Sequence, residues 1–248
     1  MELIVLGCDG SWPRPGGAGS GYLLREDGYS VWLDAGFGTI ARLQEHVPLT
    51  DLDAVVISHP HRDHFSDIYA LFTARRFGRL GKPDLPVFAQ PGFRDFSGRL
   101  VSERSEGLWR ETFDWREVSG GETFEAGPFR FEAFEMHHFG QALGFRISTG
   151  GGVLAYSGDT GPHEVVSRLA AGAHTFLCEA TLQDGERPHD RHLTARQAGE
   201  YARDAGVGRF VLTHVEGGLD RQVSLSQARE AFDGEIVLAE PGLRLEVD

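Results

Sequence analysis

The sequence is poor in cysteine, and this limits the kinds of protein it can encode. Cys8 and Cys178 are the two cysteines among 248 residues, and their spacing fits no metal-binding motif. A disulfide between them is an alternative, but Cys178 ends the apolar stretch Thr175–Cys178, where we expect a buried free thiol. This usage argues against a disulfide scaffold, so we expect a cytoplasmic protein.

Long apolar runs and excess positive charge are also missing. The first residues, Met1-Glu2-Leu3-Ile4-Val5-Leu6, lack the basic stretch of a secretion signal, and no apolar run reaches membrane-spanning length. The 24 Lys and Arg face 37 Asp and Glu, a net charge of −13. A large nucleic-acid footprint needs a basic face, so we expect no membrane and no large nucleic acid as partner. A small anionic substrate remains compatible, and the sequence leaves open whether the chain forms a homodimer.

Histidine, by contrast, is concentrated at one point of the chain. Three histidines and an aspartate fall within His59-Pro60-His61-Arg62-Asp63-His64. The apolar stretch Ala54–Ile57 before them predicts a strand, and the apolar spacing at Ile68, Leu71 and Phe72 predicts a helix after them. Imidazoles and carboxylates on such a loop are ligands for zinc, iron and manganese. The alternative is a chance cluster of surface histidines.

Three later segments have the same form, an apolar strand followed by a side chain that can bind metal. Any one of them would be weak evidence, but ligands in α/β sheets gather at the carboxyl ends of strands. The segments are Phe129–Met136 before His137 and His138, Val153–Tyr156 before Asp159, and Phe210–Leu212 before His214. Together with the dense cluster they predict one metal site.

The motifs resemble those of the metallo-β-lactamase superfamily over nearly the whole chain. The stretch His59–His64 matches the His-x-His-x-Asp-His signature of that family, and Ser157–Thr160 and Leu212–His214 match its later metal motifs. Val5–Ser11 and Trp32–Gly36 also look like the opening of that family. The resemblance is closest to the ribonuclease Z and cyclic-nucleotide phosphodiesterase branch, because two further segments look like its motifs. These are Cys178–Thr181 and His192–Ala198.

The resemblance implies a fold and a set of metal ligands. The fold would be an α/β, four-layer αβ/βα sandwich, formed by residues 1–248 as a single domain. The cofactors would be two divalent metal ions per chain, with zinc favoured and manganese or iron as alternatives. Asp159 would bridge the two ions. The first would take His59, His61 and a histidine of the 137/138 pair, and the second Asp63, His64 and His214.

The choice within the histidine pair rests on the same resemblance. The family places its histidine shortly before a Gly-aromatic-Arg-Ile strand, and Gly144-Phe145-Arg146-Ile147 lies at the right distance from His138. His138 is therefore the favoured ligand, and His137 the alternative. Four other histidines are interpreted as loop or solvent-facing residues, although His163 is close enough to Asp159 in the chain to approach the site. They are His46, His163, His174 and His189.

Glu179 and His192 are predicted to act in catalysis together with Asp63. Glu179 ends an apolar strand, and a buried carboxylate needs a partner. The family resemblance supplies His192 as that partner. An ordinary surface glutamate and a helix-start histidine are the alternative interpretation.

The predicted activity is hydrolysis by a dinuclear site with a bridging hydroxide, most simply of a small phosphodiester such as a cyclic nucleotide. A protonated His192 would supply the proton that an alkoxide leaving group needs. Ribonuclease Z carries a tRNA-gripping arm between its third and fourth metal motifs, and the stretch from His138 to Asp159 has no room for one. The alternatives are a hydrolase of a lactone, thioester or β-lactam, and a metal-dependent ligand-binding protein without turnover.

The stretch from Arg75 to Gly121 is ambiguous. It predicts a helix, a strand and a covering loop, or alternatively a wall of the substrate pocket formed by Trp109, Phe113 or Trp115. Two later helices are clearer, from Thr194 to Asp204 with Thr194 as N-cap, and from Ser224 to Phe232.

Overall fold

Two large β-sheets form the centre of the computed structural model, which describes residues 1–80, 84–185 and 190–248. The strands of the first sheet lie in the order Arg244–Glu246, Glu2–Gly7, Gly21–Glu26, Tyr29–Ala35, Ala54–Val56, Leu85–Ala89, Phe113–Glu117. Those of the second lie in the order Glu235–Leu238, Arg209–Thr213, Thr175–Glu179, Val153–Tyr156, Leu143–Ser148, Phe129–Glu135, Thr123–Ala126. A small parallel pair, Asp9–Gly10 and Val215–Glu216, joins the segment after the first strand to the segment after His214.

The strands of the first half are β1 (Glu2–Gly7), β2 (Asp9–Gly10), β3 (Gly21–Glu26), β4 (Tyr29–Ala35), β5 (Ala54–Val56), β6 (Leu85–Ala89) and β7 (Phe113–Glu117). Those of the second half are β8 (Thr123–Ala126), β9 (Phe129–Glu135), β10 (Leu143–Ser148), β11 (Val153–Tyr156), β12 (Thr175–Glu179), β13 (Arg209–Thr213), β14 (Val215–Glu216), β15 (Glu235–Leu238) and β16 (Arg244–Glu246).

The helices are α1 (Thr39–Leu43), α2 (Arg62–Phe65), α3 (Ile68–Arg76), α4 (Phe93–Gly98), α5 (Glu106–Thr112), α6 (Glu164–Ala170), α7 (Ala195–Asp204) and α8 (Arg221–Ala231), with a 3₁₀ turn at Glu103–Ser105. Thr194 caps α7 as predicted, in a reciprocal pair of hydrogen bonds with Gln197. The last helix begins at Arg221 rather than Ser224, because Asp220 accepts the amide hydrogen of Gln222 and caps it there. No helix within the described ranges is long and apolar enough to cross a membrane.

Alternating side chains of the strands build three apolar cores. Along β1, Leu3 and Val5 face the second sheet, whereas Ile4 and Leu6 face the helices of the first half. The core between the sheets also contains Phe131. A third core packs the second sheet against α6, α7 and α8. The order helix, sheet, sheet, helix is the predicted four-layer αβ/βα sandwich.

The stretch from Arg75 to Gly121 contains more regular structure than the helix, strand and covering loop that were predicted. It supplies β6, α4, α5 and β7, and the side chains of Trp109 and Phe113 are buried in the core between the first sheet and its helices. Trp115 packs against that core from a partly buried position. The alternative in which these aromatic residues line the substrate pocket is therefore wrong.

Candidate metal centre

The first cluster of possible ligands lies where β5 and β9 end. His61 Nδ1 is 3.1 Å from His59 Nε2 and 3.1 Å from His138 Nε2. Asp159, in the loop after β11, places Oδ2 3.4 Å from His59 Nε2 and 3.8 Å from His138 Nε2. Four ligand atoms from three distant segments thus face one point.

The second cluster lies beside the first and shares Asp159 with it. His64 Nε2 is 3.0 Å from His214 Nε2, and Asp63 Oδ2 is 3.2 Å from His214 Nε2. The other oxygen of Asp159, Oδ1, lies 3.2 Å from His64 Nε2 and 3.4 Å from His214 Nε2. The structure therefore brings together the seven predicted ligands in two groups that meet at one carboxylate.

The spacing of these atoms fits a metal. Bonds of about 2.1 Å in a tetrahedral site place neighbouring ligand atoms about 3.4 Å apart, close to the separations in both clusters. Asp159 Oδ1 is buried and has no hydrogen-bond partner in the described part of the chain. A buried carboxylate oxygen without a donor is costly, and a bound cation would remove that cost.

Hydrogen bonds at the far side of the imidazoles leave their lone pairs pointing inward. His138 Nδ1 donates to the carbonyl oxygen of Arg191 at 2.8 Å, and His64 Nδ1 donates to Asp34 Oδ2 at 2.8 Å. A carbonyl or carboxylate oxygen can only accept, so the hydrogen must sit on Nδ1 and Nε2 must be unprotonated in the neutral ring. This is the tautomer that binds metal.

Two hydroxyl groups favour the same tautomer in His59 and His214. Ser58 Oγ donates to Asp34 Oδ2 at 2.7 Å and can then accept from His59 Nδ1 at 3.1 Å. Thr181 Oγ1 donates to Glu179 Oε2 at 2.6 Å and can then accept from His214 Nδ1 at 2.9 Å. Each outer nitrogen thus has an acceptor that orients its ring.

Asp34 and Thr181 are functional residues whose roles sequence reasoning missed. Both lie in segments that resemble the family, Trp32–Gly36 and Cys178–Thr181, and this is the signal that could have found them. Asp34 is fully buried and also accepts the hydroxyl hydrogen of Tyr156 at 2.6 Å.

The backbone around His214 is shaped to bring the ring in. His214 has a φ of 54°, in the left-handed region that few residues other than glycine adopt. Gly10 of the β2–β14 pair lies against it, and a Cβ on Gly10 would be 2.8 Å from His214 Nδ1. The close approach therefore requires glycine at position 10.

Burial sets the charge of the ligands. It lowers the pKa of both His61 and His138 to about 4, so these rings are neutral at pH 7. Burial acts in the same direction on His64, but the carboxylates of Asp159 and Asp63 outweigh it and raise its pKa well above the usual range. The same carboxylates would attract a bound cation, which would replace the proton on His64 Nε2.

Glu179 and His192 are in direct contact at the edge of the clusters. Glu179 is fully buried, and its Oε1 lies 3.0 Å from His192 Nδ1. Burial alone would lower the pKa of His192, but the charge and hydrogen bond of Glu179 raise it to about 9. The His192 ring also lies 4.8 Å from that of His138, between centroids. The structure therefore places an imidazole paired with a buried carboxylate beside the candidate metal centre.

An open cleft of about 510 Å³ leads to the clusters. The residues that line it include reactive groups, among them Asp63, Asp159 and His192. They also include four apolar residues, called the apolar wall below, which are Pro60, Phe65, Phe96 and Leu100. Sequence reasoning missed Phe65, Phe96 and Leu100, which lie outside the quoted motifs.

The histidines interpreted as loop residues stay outside the two clusters where the structure describes them. His137 stacks on His163 at 5.4 Å between ring centroids, and His163 Nδ1 accepts from the backbone of Val165. His46 contacts Arg244, and His174 accepts from the backbone of Val153. His189 lies outside the described residues.

Residues 29–215 match the family described as a β-lactamase superfamily domain, and the chain belongs to that superfamily. Its fold is that of a metallo-hydrolase of this class. The histidine and aspartate cluster, which could bind metal, agrees with this.

The similarity extends over whole chains. The uncharacterized protein ML1173 of Mycobacterium leprae is 34% identical over 95% of this chain and 85% of its own. YhfI of Bacillus subtilis, described as a probable metallo-hydrolase, is 28% identical over 98% of each chain. The crystal structure of YhfI, a metallo-β-lactamase fold protein, superimposes with a TM-score of 0.89 over 99% of each chain at 26% identity. Ribonuclease Z of Haloferax volcanii is 28% identical over 100% of this chain and 95% of its own.

Proposed function

We propose that this protein is a metal-dependent phosphodiesterase that acts on a small phosphodiester such as a cyclic nucleotide. The observation that carries the proposal is the contact between His192 and Glu179 in the cleft that also contains Asp63 and Asp159. Cleavage of a phosphodiester expels an alkoxide, which needs a proton at pH 7, and a protonated imidazole can donate it.

In this proposal the two clusters hold two divalent ions, with zinc favoured and manganese or iron as alternatives. The ligand set contains nitrogen and oxygen and no thiolate, which all three metals accept. Asp159 is the shared ligand. The first ion takes His59, His61 and His138, and the second takes Asp63, His64 and His214. When bound, the ions would lower the pKa of a water molecule and neutralise charge on the phosphate oxygens.

The residues of the chain have separate tasks. Asp63 would ligate one ion and help to orient the attacking water, and its Oδ2 is itself held by the backbone N–H of Ser11 at 2.8 Å. In this proposal the His192 ring, held by Glu179 at Nδ1, donates the proton to the leaving oxygen. Thr160 and Leu193 donate backbone hydrogens to Glu179 at 2.7 Å and 3.2 Å, which keeps the carboxylate fixed.

A small substrate fits better than a precursor tRNA. The segment between His138 and Asp159 forms the strands β10 and β11, which pair as a tight antiparallel hairpin. The net charge of −13 opposes a long phosphate backbone, and Arg62 is the one guanidinium among the described residues that line the cleft. The relative named ribonuclease Z supports phosphodiester chemistry, and the compact hairpin supports a shorter substrate.

Hydrolysis of a lactone, thioester or β-lactam is the second candidate. The apolar wall of the cleft favours it, because such acyl substrates present little charge. A metal-dependent binding protein without turnover is the third. For acyl substrates a metal-bound water could supply the proton that the leaving group needs, and a binding protein needs no proton donor, so the His192–Glu179 pair weighs against both.

The test is an activity screen on metal-reconstituted protein with bis-p-nitrophenyl phosphate, 3′,5′-cyclic AMP, a lactone and a thioester. The proposal expects turnover of the diesters with kcat/KM at least tenfold above that of the acyl substrates. Preference for the lactone or thioester would favour the second candidate, and metal binding with no product from any substrate the third.

A further inference from the structure

We infer that the apolar wall selects the substrate, and that the group which stays on the phosphate is bulky and carries a flat ring, as a nucleoside does. The inference rests on the proposed function and names the substrate class for the same site. The residues that decide specificity are Phe96 and Leu100.

Two of the wall residues are exposed at the cleft. The side chains of Phe96 and Leu100 are 44% and 57% exposed, although each is large and apolar. Phe65, which is buried, contacts Phe96 in an edge arrangement with 6.1 Å between ring centroids. This contact supports the Phe96 ring, and an exposed aromatic ring can pack against a planar ligand group.

The wall and the reactive groups share one cleft, which indicates what covers the wall. Asp63, Asp159 and His192 line the same space as Phe96 and Leu100. A volume of about 510 Å³ lies in the range of about 300–1,000 Å³ found for small-molecule sites, so the cleft can hold more than a phosphate group. Continuity with the clusters makes the rest of the substrate the natural occupant.

The apolar wall and His192 come from different halves of the fold. Phe96 lies in α4 and Leu100 just after it, following β6 of the first sheet. His192 lies before α7, following β12 of the second sheet. A leaving oxygen that faces His192 therefore leaves the other ester group free to lie on the wall.

The experiment compares two diesters with the same leaving group. Thymidine 5′-monophosphate p-nitrophenyl ester carries a nucleoside on the retained side, and methyl p-nitrophenyl phosphate carries a methyl group. In the double variant Phe96→Ala/Leu100→Ala, kcat/KM for the thymidine ester should fall about tenfold or more, because part of the apolar contact is lost. The value for the methyl ester should stay within about twofold. The variant Phe77→Ala, which truncates another exposed aromatic residue, should change neither.

Equal losses on both esters, or no loss on either, would overturn the inference. Binding of a second copy of the chain to the wall would also overturn it. In that case sedimentation would give a different mass for the wild type than for the double variant. A binding measurement distinguishes an error in this inference from an error in the proposed function. Calorimetry with thymidine 5′-monophosphate should show about tenfold weaker binding to the double variant, even if neither ester is cleaved. Unchanged binding would reject the wall as a selecting surface.

Discussion

Oε1 of Glu179 lies 3.0 Å from Nδ1 of His192, and the two residues come from opposite ends of the segment that joins β12 to α7. The buried carboxylate fixes which imidazole nitrogen carries the charge-assisted hydrogen bond. The contact holds the His192 imidazole in one orientation beside the metal clusters.

Replacement of His192 by alanine should separate chemistry from metal binding. We expect turnover of an alkyl phosphodiester to fall roughly 10²–10⁴-fold, because the leaving alkoxide loses its proton donor. The loss should be much smaller for a p-nitrophenyl diester, since p-nitrophenolate leaves without a proton. Glu179→Gln should give a weaker version of the same pattern. Steady-state kinetics on both substrates, with metal content measured in parallel, checks this.

The metal content distinguishes a proton donor from a ligand at position 192. Equal losses on both substrates with metal retained would point to substrate positioning. Depleted metal in His192→Ala would make His192 a ligand and would contradict the proposed assignment.

Purified protein should contain close to two metal ions per chain. Elemental analysis after purification without chelator measures this directly. His214→Ala should keep about one ion, because it removes a ligand from one cluster, whereas Asp159→Ala should weaken both. A stoichiometry near zero after reconstitution with zinc, manganese and iron would reject the metal site altogether.

The histidine pair offers a matched comparison. His138→Ala should lose metal and activity, because His138 Nε2 lies 3.1 Å from His61 Nδ1. His137→Ala should keep most of its metal, because His137 stacks on His163 and is turned to a different surface. If only the His137 variant lost metal, the assignment would have to be reversed.

Asp34 should control metal affinity without being a ligand. In Asp34→Asn an amide replaces an oxygen that accepts from His64 Nδ1, so the ring loses the partner that orients it. Loss of such a partner costs about 10–100-fold in metal affinity. Asp67→Asn is the control, because Asp67 accepts from the backbone of Ile40 and touches no ligand. Titration against a chelator should show weaker metal binding in Asp34→Asn and unchanged metal binding in Asp67→Asn.

Both thiols should resist alkylation in the native protein. Burial raises the pKa of Cys8 to about 11 and that of Cys178 well above its usual range, so little thiolate exists at pH 8. Iodoacetamide should label neither residue at pH 8 and both in denaturant. The rate of alkylation of Cys8 should still increase with pH above pH 9, because a raised pKa means that the thiolate forms at higher pH. Rapid native labelling at pH 8 would contradict this.

The sequence alone determined the superfamily, the sandwich and the candidate ligands. His59, His61, Asp63 and His64 are close in the chain, so a short loop must keep them close in space. His138, Asp159 and His214 each follow an apolar strand, and the carboxyl ends of neighbouring strands meet at one edge of a sheet. Local patterns also gave the start of α7, because a capping box is formed by residues three apart.

Only the tertiary structure decided which groups orient those ligands and what lines the cleft. Asp34 reaches His64 and Thr181 reaches His214 across contacts that join separate strands, and no local pattern encodes such a pairing. Trp109 and Phe96 are both large aromatic residues of the same region, yet one is buried and the other is 44% exposed beside the cleft. Hydrophobicity gives both the same tendency to bury, and the packing of α4 and α5 on the first sheet determines which side chain finds space in the core.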